Sequence, residues 1–579
     1  MISRSVFLIT FTSLFYLVST AGCEEPMLLV PVMDAQGNAT GLYNVNPDSE
    51  GEPWISGGGR ALTAEEDNCI PELVLPARYK DRTAYPLPAK VDNSRTKYFP
   101  PILYQRGASC CQASGVAYIF SYEICRIRDR DASDEAHIFP YGFAYNFING
   151  GSSSSYSGFF DGWRVADELG QPDLKSYGGK LEGTAGQTSW VDGYDVYYKA
   201  MSNRYVESYK VTCTSGDGIE KMKQWLFDRA NGSEPGGVMG FLAWSGQTRD
   251  KLPSNSPEAG HAYIKKFGTS GGHCMTLVGY NDDIVYDLNN DGQFDSREKG
   301  GFLMVNSYGE DYGTDGRAYV PYTLFSNGSM KSSSVYGITV VKEEVKPLLT
   351  YKITITHDRR NAIEIIRGFS TNTSATSPSK TYRYRESFSN GGALPMEGKG
   401  LSETIEVGLD VSEFVDEISG KKTKFFLQID SDGGSGRVNS FSVMDYTGAQ
   451  VKEYKCTETN VTISSGMNTL WVLSDDAVAL AKENPGRSPK AGTFYASPLT
   501  NGHAIHFRYN LPGAHQATFR ITNIHGRLIY EKEVSLAGAK EFVWDKTNGR
   551  GHKVSPGKYI AQLETDHAAV LYTQVYVMK

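Results

Sequence analysis

The chain has 579 residues, too many for one hydrophobic core, so three or four domains are expected. Hydrophobic residues make up 40% and charged residues 21%, an ordinary globular balance that excludes a disordered chain. Acidic residues outnumber basic ones, 66 to 58, for a net charge of −8, which argues against a nucleic-acid partner, since phosphate binding needs a basic face.

At the start of the chain, Arg4 precedes an apolar run from Val6 to Val18 and the small residues Ser19-Thr20-Ala21-Gly22. The run is too short to span a bilayer, and the pattern predicts a secretory signal peptide over residues 1–22, with cleavage allowed after Ala21. Ala21-Gly22-Cys23 also resembles the end of a lipoprotein box, in which a lipidated Cys23 would anchor the protein. Thr20, where that box usually has leucine, favours simple cleavage. No later segment is apolar enough to cross a membrane. The rest is expected to be exported through the Sec route, and to be secreted or held at a bacterial cell surface.

Eight cysteines, at 23, 69, 110, 111, 125, 213, 274 and 456, are too sparse and irregular for a disulfide scaffold. With no CxxC pair, a cysteine zinc site is not expected. Residues 23–85 carry turn residues and few periodic runs, and are expected to be an N-terminal extension or pro-segment. From 86 to 346 the pattern is mixed. The loop Gln105 to Ser109 runs into an apolar stretch, Ala113 to Ile127, in which Val116, Phe120, Ile124 and Ile127 recur at helical spacing. A second helix is predicted over 218–229, and strands over 238–244, 275–280, 301–306 and 317–320. Residues 347–480 alternate polar and apolar between Gly- and Ser-rich turns, as a β-sandwich does. Trp471 there is expected to serve the core, with sugar or protein binding as the alternative. A Pro-containing linker follows over 481–492, and 493–579 again reads as β.

A thiol peptidase needs a cysteine at a helix N-terminus, where the macrodipole lowers the thiol pKa. It also needs a histidine to pair with the thiolate, a group to orient that histidine, and donors for the oxyanion. Three segments offer these parts in order. They are Gln105-Arg-Gly-Ala-Ser-Cys110-Cys111-Gln-Ala-Ser, His273-Cys-Met-Thr-Leu-Val-Gly-Tyr280, and Asn306-Ser-Tyr-Gly-Glu-Asp-Tyr-Gly313. At all three places, over about 250 residues, the chain resembles the papain-like cysteine peptidases in their bacterial branch. That family writes the third motif with tryptophans where Tyr308 and Tyr312 stand, and an aromatic lid is kept. The resemblance implies an α+β fold, a two-lobed catalytic domain followed here by two β-sandwich modules. It implies His273 as the base, Asn306 as its orienting partner and Gln105 as an oxyanion donor. Two frames are open for the nucleophile, Cys110 or Cys111. The family's usual upstream cysteine is absent in either frame, and with it that loop disulfide.

The implied reaction is hydrolysis of a polypeptide through a thioester, with no cofactor for catalysis and the chain acting as a monomer. Two alternatives remain: a non-catalytic surface binding protein that keeps the fold, and a transglutaminase-like acyl transferase, which Asn306 and Gln105 argue against.

Between the histidine and asparagine strands lies Asp287-Leu-Asn289-Asn-Asp291-Gly292-Gln293-Phe-Asp295-Ser-Arg-Glu298. The spacing matches a calcium loop, with oxygen ligands from Asp287, Asn289, Asp291, Gln293 (by its carbonyl), Asp295 (often through water) and Glu298. Strand-like flanks predict a structural Ca²⁺ at a hairpin tip rather than a sensor. Finally, Ile524-His-Gly526-Arg-Leu, Trp544-Asp545 and Val554-x-Pro-Gly557-Lys-Tyr559 resemble the C-terminal sorting domain of the type IX secretion route. The secretion machinery and the cell surface are the partners this implies.

Overall fold

The computed structural model describes residues 58–478 apart from short stretches, the strands Val30–Met33 and Ala39–Tyr43, and parts of 493–577. The signal peptide, Cys23, Cys69 and the linker 481–492 lie outside the described residues. The chain divides into two compact units, residues 1–481 and 482–579.

In the first unit, a helical stretch starts at Cys110 and runs through Cys110–Gln112, Ala113–Phe120 and Ser121–Ile127, the middle segment wound as a π-helix. Every residue from Cys110 to Cys125 is buried, which is why its apolar pattern reads continuously rather than as one stripe. Shorter helices Tyr141–Ile148, Phe159–Glu168 and Tyr194–Ala200 follow. Asp161 caps the second of these by accepting the Gly158 N–H at 2.6 Å.

A nine-stranded sheet forms the other part. Its order is Tyr205–Thr212, Met330–Val340, Met239–Ala243, His273–Val285, Lys299–Val305, Arg317–Pro321, Ala262–Lys266 and Thr248–Lys251, with Lys90–Asp92 paired beside His273–Val285. The helix predicted over 218–229 spans Gly216–Asp228, started by the Ser215 hydroxyl and ended by Arg229 at φ +58°. His273–Val285 and Lys299–Val305 are antiparallel neighbours. Through that pairing His273 opens one strand and Asn306 follows the other, with the acidic loop joining their far ends.

Residues 349–477 form two antiparallel sheets, of five and four strands. Tyr351 of one packs edge-on to Phe425 of the other, with ring centroids 6.4 Å apart. These sheets are fastened to the part of the unit that precedes them. The Arg360 guanidinium, fully buried, donates to the carbonyls of Gly391 and Thr188 at 2.7 Å, and Arg204 pairs with Asp410 at 2.7 Å. Trp471 departs from expectation. It is 42% exposed, with the Lys424 ammonium 3.7 Å above its ring, because its strand position points away from the facing sheet.

The second unit holds a three-stranded sheet, Thr493–Ser497, Ile505–Asn510 and Glu541–Trp544. It also holds a four-stranded sheet, Leu528–Ser535, Gln516–Asn523, Gly557–Thr565 and Val570–Val577. Phe507, Phe519, Trp544 and Leu563 are buried between their strands.

Candidate active site

Cys110 is the first residue of its helix, where backbone N–H groups lack intrahelical partners. Its Sγ accepts the Cys274 N–H at 3.3 Å, so the thiol lies against the residue that follows His273. Cys111, the alternative nucleophile, is bonded to Cys274 and has no thiol to offer, whereas Cys110 is free. The disulfide joins the residue after Cys110 to the residue after His273, stapling helix to strand across the site.

Nε2 of His273 donates to Oδ1 of Asn306 at 2.6 Å, and that oxygen also accepts the Ser307 N–H at 2.8 Å. A proton held on Nε2 leaves Nδ1 as the basic nitrogen. Tyr308 stacks on the imidazole with centroids 4.6 Å apart and an interplanar angle of 19°, its hydroxyl 3.4 Å from Nδ1. Tyr312 sits edge-on to Tyr308. Two tyrosines thus shield the Asn306–His273 bond from water. Gln105 is fixed by the same segment: its Oε1 accepts the Ser307 hydroxyl at 2.6 Å, and its N–H donates to the Ser307 carbonyl at 2.8 Å. With Oε1 engaged, the amide nitrogen is the remaining donor end, and it reaches the Gly107 carbonyl at 3.1 Å.

The cleft is covered. Residues 58–60 lie across it, with Gly59 bridged to Ser157, and the Gly59 N–H donates to Gly272 O at 2.9 Å, the carbonyl just before His273. On the other side the Ser157 N–H donates to Gly58 O at 3.0 Å, and the Arg60 N–H to Ser157 O at 2.9 Å. Arg60 clamps the segment with ion pairs to Glu66 and Asp161, both at 2.8 Å. Gly58 has φ +76°, and a Cβ there would lie 2.2 Å from Ala108 O, so glycine is required.

Burial under this cover sets the electrostatics. It pushes the Cys110 thiol up to about 12, against opposing backbone hydrogen bonds. It draws His273 down to about 4, against the Asn306 bond. Both groups are neutral in this covered state, and among the described residues no hydrogen bond joins Cys110 to the His273 ring.

The acidic loop brings some of its predicted ligands together. One carboxylate oxygen from each of Asp287, Asp291 and Glu298 lies within 4.8 Å of the others. Oδ1 of Asp287 is buried without a hydrogen-bond partner. Positive φ at Asn290 and Gly292 turns the chain around this point, and the Asn289 side chain accepts the Asp291 N–H at 2.9 Å. The Gln293 N–H caps Asp291, while the Asp295 carboxylate points elsewhere, paired with Arg297 at 2.7 Å. An orphaned buried carboxylate oxygen facing two more fits a hard cation.

Sequence reasoning did not find the occluding segment, the disulfide or Lys331, a cation whose charge acts on the Cys110 thiol. The run Gly57-Gly58-Gly59 was the available signal for a backbone needing close approach.

No family model matches the sequence, and no curated protein matches it. Similar solved structures include xylellain, a cysteine protease from Xylella fastidiosa, at 19% identity over 49% of this chain and 96% of that one, with a TM-score of 0.34. Digestive procathepsin L 3 of the Tenebrio molitor larval midgut matches at 13% over 44% and 70%, TM-score 0.28. Procathepsin B S9 from Trypanosoma congolense matches at 11% over 49% and 86%, TM-score 0.31.

Proposed function

We propose that the chain is a papain-like cysteine peptidase that hydrolyses peptide bonds through a thioester. The observation that carries the reading is a free thiol at a helix start facing the segment of a histidine whose ring is held by a buried asparagine. Once the cleft opens and rehydrates, His273 Nδ1 takes the Cys110 proton and the sulfur attacks the scissile carbonyl. The Gln105 amide and the Cys110 N–H receive the oxyanion, and the tetrahedral intermediate collapses to a thioester as His273 protonates the leaving amine. His273 then activates water, which releases the acid and restores the thiol.

In the same reading, Asp287, Asp291 and Glu298 hold a structural Ca²⁺ at the tip of the hairpin that carries His273 and Asn306. Residues 1–22 direct export. The two sheet-pairs after the catalytic region are β-sandwich modules, the last a sorting domain that engages the type IX machinery and the cell surface. The substrate is polypeptide, and the chain works as a monomer.

The test compares Gly58→Val, whose added side chain the covering segment cannot seat, with Gly58→Val/Cys110→Ala, with circular dichroism to show that both fold. Hydrolysis of a peptide library and labelling by a thiol epoxide are expected in the first and absent in the second. Folded, uncovered protein that neither cleaves peptides nor takes the label at Cys110 would refute the reading and favour a binding protein.

A further inference from the structure

A cation lies beside the segment that covers the site. Lys331 lies at the start of the strand Met330–Val340, with its Nζ donating to Gly271 O at 2.8 Å and lying 4.9 Å from the centre of the Trp244 ring. Among the described residues no carboxylate pairs with it. A Cβ placed on Gly272 would be 3.2 Å from this Nζ and 2.2 Å from Gly59 O, so the ammonium sits beside the segment that fills the cleft. It is also among the charges that act on Cys110.

The occluding segment shows how the cleft holds a chain. It uses the Gly272 carbonyl and both backbone groups of Ser157, and a substrate must satisfy the same groups. Gly59 lies so deep that a Cβ would be 2.6 Å from Leu242 Cδ1 and 3.2 Å from Cys274 Sγ. A residue with a side chain must ride higher, and the groups nearest that side chain would be Leu242, the Cys111–Cys274 bond and Lys331 with the Trp244 ring it covers. Three of these neighbours are apolar or uncharged. The fourth is a half-buried cation with a carbonyl and an indole but no counter-charge, and burial draws its pKa below the usual lysine value. A carboxylate there would offset the cost of keeping the ammonium out of water, whereas an apolar side chain would add to it and a second cation would be repelled.

We propose that Lys331 makes the cleft selective for substrates carrying aspartate or glutamate at the residue that pairs with Gly272 and Ser157. This rests on the peptidase reading above.

The test uses a peptide library with every residue type at each of the three positions before the cleaved bond, read by mass spectrometry. The full chain is assayed in a Gly58→Val background, whose added side chain the covering segment cannot seat, with Lys331 unaltered, as Lys331→Met and as Lys331→Glu. Within each protein the readout is kcat/KM for acidic over apolar peptides, a ratio in which loss of active enzyme cancels. The chain with Lys331 unaltered is expected to favour acid about tenfold at one position, from one charge-assisted contact. The preference should shrink in high salt, vanish in Lys331→Met and turn toward lysine or arginine in Lys331→Glu. Cleavage with no acidic preference, or a preference unchanged in Lys331→Met, overturns the role of Lys331 and leaves the peptidase standing. If no library peptide is cleaved, the peptidase reading itself fails. Should the Lys331 variants not fold, the ratio and its salt dependence with Lys331 unaltered decide.

Discussion

While residues 58–60 fill the cleft, Cys110 should be a poor nucleophile, and expelling them should make it a fast one. The thiolate is the species that alkylates, and burial has pushed this thiol from 9.0 to about 12. At pH 8 that lowers the thiolate fraction, and with it the alkylation rate, by about a thousandfold. The perturbation is Gly58→Val. The new side chain would need φ +76° and would place its Cβ 2.2 Å from a backbone oxygen, so the segment must leave. The assay is iodoacetamide labelling at pH 8, with each cysteine peptide followed by mass spectrometry. Cys125 and Cys213, also pushed up to about 12 by burial, stand in the same tubes as comparators and should not respond. A Cys110 that labels in the unaltered protein as fast as an ordinary thiol, or that Gly58→Val does not accelerate, refutes the reasoning. Acid should also loosen the cover. His273 is drawn from 6.5 down to about 4, so its contribution favours the covered state above pH 6.5 and is lost as the pH falls toward 4. The limit of that loss is ~3 kcal/mol. Cys110 works at the other end, its contribution present below pH 9 and lost as the pH rises through about 12.

Two further outcomes are expected. The Cys111–Cys274 bond spans a sequence separation of 163, and in the chain-entropy account it stabilises by up to ~5 kcal/mol. A Cys111→Ala/Cys274→Ala variant should melt well below the unaltered protein, and an unchanged denaturant midpoint would show that the staple adds nothing. Calcium at a hundred times its Kd should stabilise by about 2.7 kcal/mol. Chelator should therefore lower Tm in the unaltered chain but not in Glu298→Gln, and identical melting with and without chelator would remove the cation from the loop.

How much of this was legible varies by element. The strands around His273 and Asn306 were readable because their residues are β-branched, aromatic or long apolar chains between turn signals, though the real strands run longer. His273–Val285 continues past Tyr280 because pairing with its neighbours, not local preference, ends it. The helix at Cys110 starts before its periodic stretch, since a fully buried helix shows no polar face to mark its first turn. Trp471 was misread for the converse reason. An aromatic residue in an alternating strand packs inward or outward according to register, and only the pairing Phe426↔Trp471 sets which.

By itself the sequence determined the chemistry on offer: a glutamine, a cysteine pair, a histidine and an asparagine in order, and an acidic loop at ligand spacing. Such information is local, because each motif constrains only its own few residues. Tertiary structure alone decided which cysteine keeps its thiol, what lies across it and which cation stands beside the covering segment. Cys111 meets Cys274 163 positions away, Gly59 meets Gly272, and Lys331 reaches the Gly271 carbonyl from a later strand. No periodicity encodes such encounters. They follow from the packing of a helix against a sheet, and that packing also sets the dielectric that neutralises the thiol and the imidazole.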